Sequence, residues 1–552
     1  MSHQKINDLL IKAKQYHNEN ALEKAKPLYE ETLGLDPNHF DGLRLYALLL
    51  AQMGFYTQSE PFFERALAID PNHTALLANY SLMLNRIGKY DKGIILSDRL
   101  ISLSPDLDQS QSFNRVLLLR NAGQYKRADS VIQQNMKRFP QYIDLKREYA
   151  FNLCDLGQHK QALELYADLM KDNPDHTGLL SAYGVLLERY GFYKRAAKAY
   201  EKSLALDPNQ PQTRFNYSLL LMLIDDYDQG LIAYEARWQS VAFNQDPAII
   251  EIRRQLPFPQ WDGKQSLDGK SILIYTEQGL GDVLHFLRYL PLLKQLGASI
   301  FMMVRKSHKP ILPLLKNDPA ISGFVDVNES FQACDYHCGL LSLALYLRPK
   351  FDLFTPPAPG LISPNIERKW QKTLGKKHES KRASKRIGFV LSGSGNIIAR
   401  DMGIKDWQFL QHSLSAPLDR VEWVCLQKEL SAAQSSFLAK NPNSFRFFGS
   451  QIHNFEDTAA IINECDMVIT IDTSVAHLAG IMAQAKDKAK NNAAPFVHLL
   501  MPHLPSFRWG LKASTTAWYP NMMIWRQLKQ GDWQHPILKL KDYVSTHYQD
   551  WH

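Results

Sequence analysis

The chain has little cysteine: five residues in 552, at positions 154, 334, 338, 425 and 465, scattered and odd in number. That pattern excludes a disulfide framework and points to a reducing compartment. Cys334 and Cys338 flank His337, but no second pair completes a ligand set and no paired carboxylates suggest one elsewhere. No metal is expected. Long apolar runs are missing too, so no membrane-spanning helix is expected. The opening Met-Ser-His-Gln-Lys-Ile-Asn-Asp lacks the basic-then-apolar pattern of a secretory leader, leaving the cytoplasm as the expected location. Neither sign of charge dominates, since 64 Lys and Arg against 56 Asp and Glu give +8. No basic stripe interleaves with aromatics, so nucleic acid is not an expected partner. With 45% apolar and 22% charged residues the chain is ordinary soluble protein, too long for one core. About three domains are expected.

Prolines recur at 37, 71, 105, 140, 174 and 208, at spacings of 34, 34, 35, 34 and 34. A turn recurs midway, at Gly54-Phe-Tyr, Gly88-Lys-Tyr, Gly123-Gln-Tyr, Gly157-Gln-His and Gly191-Phe-Tyr. Small residues precede an aromatic by one helical turn in Ala25/Tyr29, Ser59/Phe63, Ala162/Tyr166 and Ala196/Tyr200, so each pair shares a face. The glycine ends a first helix, the small residue lets helices approach, and the proline ends the second. This is the tetratricopeptide period, sustained over residues 1–240. One unit cannot bury its own apolar face, so the units are expected to stack into a superhelix with a concave groove. A seventh helix pair, roughly Gln212 to Arg237, is expected to cap the array. The groove suggests a docked polypeptide; the plainer alternative is a scaffold that sets oligomeric state.

Beyond a linker at 241–268 the rhythm changes. Ser271 to Thr276 predicts a buried strand, followed by Gln278-Gly-Leu-Gly-Asp282, an apolar helix from Val283 to Leu296, and a strand from Ser299 to Val304. A Pro-bounded helix near Pro310 to Leu315 and a strand at Phe324 to Val327 complete a parallel α/β unit over 269–365. A Lys- and Arg-rich linker at 366–385 leads to a second unit, 386–552. Its predicted strands are Arg386–Leu391, Glu422–Leu426, Met467–Ile471 and Phe496–Leu500, and a helix begins near Asp457. Asp472-Thr-Ser-Val-Ala-His477 ends the third strand directly in a capped helix. Such a joint aims backbone N–H groups and the positive end of the helix dipole at one point, which suits a phosphate. Ligands gather at the carboxyl ends of such strands, in a cleft between two sheets.

Thr276-Glu-Gln-Gly-Leu-Gly-Asp282-Val-Leu-His285-Phe, Asp472-Thr-Ser-Val-Ala-His477-Leu-Ala-Gly480 and Trp518-Tyr-Pro520…Trp525-Arg526…Gly531-Asp532-Trp533 occur in that order behind the repeats. Together they resemble bacterial repeat-containing glycosyltransferases related to the ADP-heptose:lipopolysaccharide heptosyltransferases. The resemblance implies a GT-B fold and a nucleotide-sugar co-substrate held mainly by the C-terminal unit, with no cofactor and no metal. It implies Asp282, in the Gly279-Leu-Gly281-Asp282 loop, as the base, and Asp472, Thr473, Ser474 and His477 as the donor-diphosphate motif. Ser392, Gly393, Ser394 and Asn396 would meet the phosphates at the end of the first C-terminal strand. Two features depart from the family pattern. Arg400 stands nearest to the usual Lys, and the segment from Ala483 to Pro495 is long.

Sugar transfer needs an acceptor proton removed and a leaving diphosphate stabilised. His285, one turn past Asp282, is a second candidate base, though it reads more as a packing residue. Asp282 reads equally as a plain helix cap. Gln427 and Lys428 at a strand end are candidates for ribose or base, and Asp457 and Thr458 for packing beside the nucleotide. Arg508, Trp509 and Trp518 read as core or lid packing rather than as acceptor lining. The leading expectation is transfer to a protein acceptor held by the repeats, with flagellin or a surface protein as a guess. Transfer to lipopolysaccharide or another glycan, with the repeats serving dimerisation, is the alternative. An adaptor with a degenerate transferase fold is a third. The donor's base and sugar stay open among ADP-heptose, UDP-sugars and CMP-linked acidic sugars.

Overall fold

The computed structural model describes residues 2–240, 256–326, 334–355, 362–375, 385–393, 401–415, 418, 421–440, 445–489 and 496–548. The N-terminal part is a run of helix pairs, from Ser2–Asn18 with Leu22–Leu35 to Pro211–Leu223 with Tyr227–Tyr234. Each midway glycine does what its position demands. Gly54, Gly88, Gly123, Gly157 and Gly191 adopt φ of +72° to +85°, a left-handed conformation that ends the first helix of each pair. The small–aromatic pairs are wholly buried, Ala25, Tyr29, Ser59, Phe63, Ala162, Tyr166, Ala196 and Tyr200 all at 0% exposure. Ser59 also satisfies its hydroxyl by donating to the Ala47 carbonyl at 2.7 Å, so the close helix approach leaves no orphaned polar atom there.

The chain divides into two compact units, and the division falls inside the seventh helix pair. The array ends at Thr213, whereas Arg214–Trp238 pack with the α/β half rather than with the repeats that precede them. The sequence period runs to residue 240, because periodicity reports helix spacing and not which partner a helix packs against.

The α/β half contains two sheets. The first has the order β3-β2-β1-β4 and is parallel throughout: β1 Ser271–Tyr275, β2 Ser299–Met303, β3 Ile321–Val325 and β4 Tyr336–Gly339. The second is β10-β11-β9-β8-β5-β6-β7, with β5 Lys385–Phe389, β6 Val421–Cys425, β7 Phe445–Phe447, β8 Met467–Ile471, β9 Phe496–Met501, β10 Thr515–Thr516 and β11 Tyr519–Arg526. Its pairings are parallel apart from the β10–β11 edge. Strand β8 is buried at every position, as a β-branched run covered on both faces must be. The molecule is thus a tetratricopeptide array followed by two Rossmann-like sheets, the GT-B class expected from the sequence.

Several boundaries differ from the expected ones. The helix from Val283 to Leu296 is broken into Leu280–Phe286, a 3₁₀ turn Leu287–Tyr289 and Leu290–Gln295, with Pro291 opening the last piece. The expected linker at 366–385 begins with an ordered helix, Pro364–Leu374, whose Trp370 is fully buried. Residues 376–384 lie outside the described residues. Among the described residues no helix is long and apolar enough to cross a membrane.

Candidate functional site

Strand order reverses between β1 and β4 in the first sheet and between β5 and β8 in the second. Loops leaving neighbouring strands at such a point diverge and open a crevice at their carboxyl ends. The Gly279–Asp282 loop follows β1, Ser392 and Gly393 follow β5, and Asp472 to Ser474 follow β8. All of these line one cavity of about 640 Å³. The expected residues Gly279, Gly281, Asp282, Ser392, Gly393, Gln427, Lys428, Thr458, Asp472, Thr473, Ser474 and His477 are therefore together on its wall. Ser394, Asn396 and Arg400 lie outside the described residues.

Two expected residues are placed elsewhere. The Asp457 carboxylate accepts from Lys369 Nζ and Trp370 Nε1, each at 2.7 Å, and from the His453 backbone N–H at 2.9 Å. Burial works to raise its pKa, but these donors hold it below the usual carboxylate range. Asp457 thus anchors the helix joining the two sheets, and its neighbour Thr458 is the one that faces the cavity. His285 is fully buried, with Nδ1 3.2 Å from the Tyr519 hydroxyl and the Trp518 ring 4.5 Å away, and it is not part of the cavity wall.

The mouth of the Ser474–Ala489 helix is built as its sequence suggests. The first N–H groups of a helix have no acceptor within it; here the Ala476 N–H turns back to the Thr473 carbonyl at 3.0 Å, and Ser474 and Val475 line the cavity at the positive end of the dipole. Three further polar atoms on this wall are buried without a hydrogen-bond partner: Thr473 Oγ1, Ser506 Oγ and Arg508 Nε. Hydroxyls both donate and accept whereas the Arg508 Nε–H only donates, so this wall carries hydrogen-bonding capacity that no described protein group uses. Gly281 makes a close approach here: a Cβ would stand 3.1 Å from His477 Cδ2, so the ring would have to give by a few tenths of an ångström, and 3.5 Å from Ser474 Cα. The backbone of one sheet's loop thereby comes against the other sheet's helix.

Asp282 uses both carboxylate oxygens. Oδ2 accepts the Gly279 N–H at 3.0 Å, capping its helix, and Oδ1 is ion-paired with Arg508. Asp472, across the cavity, accepts from Trp509 Nε1 at 2.9 Å. Gln427 supports the turn after β5: its Oε1 accepts the Leu391 and Ser392 N–H groups, and its Nε2 lies 3.3 Å from Ser392 Oγ.

His477 stacks on Trp509, with ring centroids 5.1 Å apart, and its Nδ1 lies 3.0 Å from the Tyr519 hydroxyl. Tyr519 therefore touches the Nδ1 atoms of both His477 and His285. One hydroxyl carries one proton, so only one of the two rings can accept from it, and the other must donate. Burial pushes both imidazoles well below their ordinary pKa, reinforced by the cations Arg508 and Arg288. Both rings are neutral at neutral pH.

Behind the Gly279 loop sits a buried ion pair. Arg237 donates through Nε and Nη2 to the two Glu277 oxygens at 2.9 and 3.0 Å, and through Nη2 to Ser342 Oγ at 2.7 Å. Both side chains are 0% exposed. Gln278, at φ +58°, is held by its Nε2 on the Tyr234 hydroxyl at 2.6 Å. The two residues that enter the loop are thus fixed by Tyr234 and Arg237, beyond the expected sites. Sequence reasoning also missed Arg508, Ser506, Asp401 and His453 as wall residues. The rule that ligands lie past strand carboxyl ends marks the segment after β9 for Ser506 and Arg508, but not Asp401 or His453.

The tetratricopeptide repeat family profile matches residues 16–74 and 152–211. No curated protein matches the chain. Among solved structures the chain is similar to a tetratricopeptide repeat protein from Parabacteroides merdae ATCC 43184, at 13% identity and TM-score 0.40, covering 45% of this chain and 97% of that one. It is also similar to a glycosyl transferase family 9 structure from Veillonella parvula DSM 2008, at 10% identity and TM-score 0.38, covering 52% and 98%. A thermophilic tetratricopeptide protein of Thermus thermophilus has 20% identity and TM-score 0.28, covering 33% and 96%. The N-terminal region of the chain is built of tetratricopeptide repeats.

Proposed function

We propose that the chain is a glycosyltransferase that moves a sugar from a nucleotide-sugar donor to a protein acceptor held by the repeats. The observation that carries this reading is the cavity at the Ser474 helix mouth. Unmatched donors of Thr473, Ser506 and Arg508 line one side of it, and the Asp282 carboxylate faces them. In this reading the acceptor nucleophile loses its proton to Asp282 and bonds to the sugar's anomeric carbon. The bond from that carbon to the phosphate oxygen breaks, and its electron pair leaves with the nucleoside phosphate. The growing charge is met by the helix N-terminus and Arg508, fixed groups that need no reorganisation as the bond breaks. A buried neutral His477 adds hydrogen bonding on the same wall without adding charge. A metal ion is not required for this arrangement, so activity should persist in a chelator. The donor residues implied by the heptosyltransferase resemblance belong to the same proposal. The repeats favour a polypeptide acceptor, because a groove made of stacked helix pairs is a surface for an extended chain.

Calorimetry of the full chain against ADP, UDP, GDP, CDP and CMP tests the donor site. Binding of one nucleotide, lost in Ser474→Asp, is the expected result. No heat with any of them would remove the transferase reading and leave a docking platform. Intact-mass analysis of co-expressed candidate acceptor proteins then tests the acceptor class.

A further inference from the structure

Arg508 occupies an unusual position. Its side chain is 12% exposed, its Nη2 is paired with Asp282 Oδ1, and its Nε is buried without a partner on the cavity wall. Asp282 and Asp472 both keep the guanidinium charged against the opposing effect of burial. The guanidinium therefore sits between a carboxylate on the first sheet's loop and the helix mouth of the second sheet, with one N–H unused. A planar fork of N–H donors suits two phosphate oxygens better than it suits one oxygen of a carboxylate whose other oxygen is already capping Gly279.

We propose that Arg508 is shared between Asp282 and the donor, so that an anionic diphosphate at the helix mouth draws the guanidinium away and only then frees Asp282 to accept a proton. This rests on the functional reading above and adds an order to it: donor first, base second. Without a donor the Gly279 N–H holds one carboxylate oxygen and Arg508 holds the other, so neither is open to an acceptor hydroxyl. With the donor bound, Arg508 turns to the leaving group, where charge will develop. The exchange moves no covalent bond and requires only rotation of one side chain. It also sets a competition, because Asp282 and the diphosphate both want the same cation.

That competition gives a test that does not need the natural donor. Asp282→Asn keeps a side-chain oxygen to cap Gly279 but removes the rival charge. Titration of the full chain with inorganic pyrophosphate, and with the nucleoside diphosphate that binds best, should therefore show tighter binding in Asp282→Asn by about fivefold or more, the scale of one partly buried ion pair. Arg508→Lys keeps the charge, loses the fork and should bind about tenfold more weakly or worse. Adding Asp282→Asn to Arg508→Gln, which leaves no cation to share, should then bring little of the gain that it brings alone. An unchanged or weakened affinity in Asp282→Asn, with the wild type binding normally, overturns the sharing and leaves the functional reading standing. Binding by none of the proteins overturns the functional reading, and the sharing with it. Tryptophan fluorescence spectra matching wild type establish that each variant is folded.

Discussion

Replacing Arg237 by Met tests the buried ion pair most sharply. Arg237 gives Glu277 both of its side-chain ion-pair bonds, and once it is gone the carboxylate, at 0% exposure, keeps the Leu341 N–H at 3.1 Å. Breaking a buried pair in this way costs about 3–5 kcal/mol, because an uncompensated charge is left behind. The carboxyl has one escape, which is to take up a proton. Burial already raises the Glu277 pKa, and Arg237 is the larger of the two groups that oppose the rise, the Leu341 N–H being the other. From an unfolded pKa near 4.3, forcing the proton on costs about 4 kcal/mol at pH 7 and about 1.6 kcal/mol at pH 5.5. A carboxyl whose folded pKa is raised contributes stability at low pH and loses it as pH climbs past the unfolded value. The deficit of the variant against wild type should therefore widen from about 2 kcal/mol at pH 5.5 to about 4 kcal/mol at pH 7. Urea unfolding followed by tryptophan fluorescence measures it cleanly, since all ten tryptophans lie at position 238 or later and the array is silent. The double variant Arg237→Met with Glu277→Met should recover most of the loss, as apolar replacements of buried pairs often do. A deficit under about 1 kcal/mol at pH 7, or the same deficit at both pH values, would refute the reasoning.

Other expectations follow from single contacts. Tyr519→Phe removes the hydroxyl between His477 and His285. Nitrogen-15 shifts of labelled histidine should show one Nδ1–H ring and one Nε2–H ring in wild type, and mixed tautomers in the variant. Burial lowers the pKa of His285, His477 and His498, the last to about 3. Each such ring binds its proton only when unfolded, so stability of the α/β half should fall below about pH 6.5, by up to about 1.4 kcal/mol per pH unit per ring. His498→Gln should reduce that slope in pH-dependent urea melts. Gly123→Ala meets no atom within 4 Å but must hold φ +72°, so it should cost about 1 kcal/mol by circular dichroism melts. Gly480→Ala would put a Cβ 2.4 Å from the Tyr519 ring and should cost about 1–3 kcal/mol.

The repeats are legible because their glycines and prolines act locally, each ending a helix by its own backbone. Strands β1 and β8 are legible because parallel strands covered on both faces are near-continuous apolar runs, and β5 and β9 because an apolar run follows Lys385-Arg386 in the one and flanks His498 in the other. Strand β4, Tyr-His-Cys-Gly, and the three-residue β7, Phe-Arg-Phe, carry no such run, and nothing in their residues announces them. They are strands because a neighbour offers a hydrogen-bonding edge, which is a tertiary fact. The Asp282 and Asp472 loops are legible as strand-to-helix joints. Arg508 reads as packing in the sequence, since only its meeting with Asp282, 226 residues away, gives it a site. Asp457 misleads for the opposite reason: it opens a helix beside the cavity, but its carboxylate turns to Lys369 and Trp370.

The seventh helix pair has a practical consequence for anyone exchanging the repeats of this chain as a cassette. A joint cut where the 34-residue rhythm ends would carry Tyr234 and Arg237 off with the donor module and strip Gln278 and Glu277 of their supports. The workable seam lies ahead of Arg214, so that the transplanted piece brings the repeats alone and the recipient keeps its own keystone.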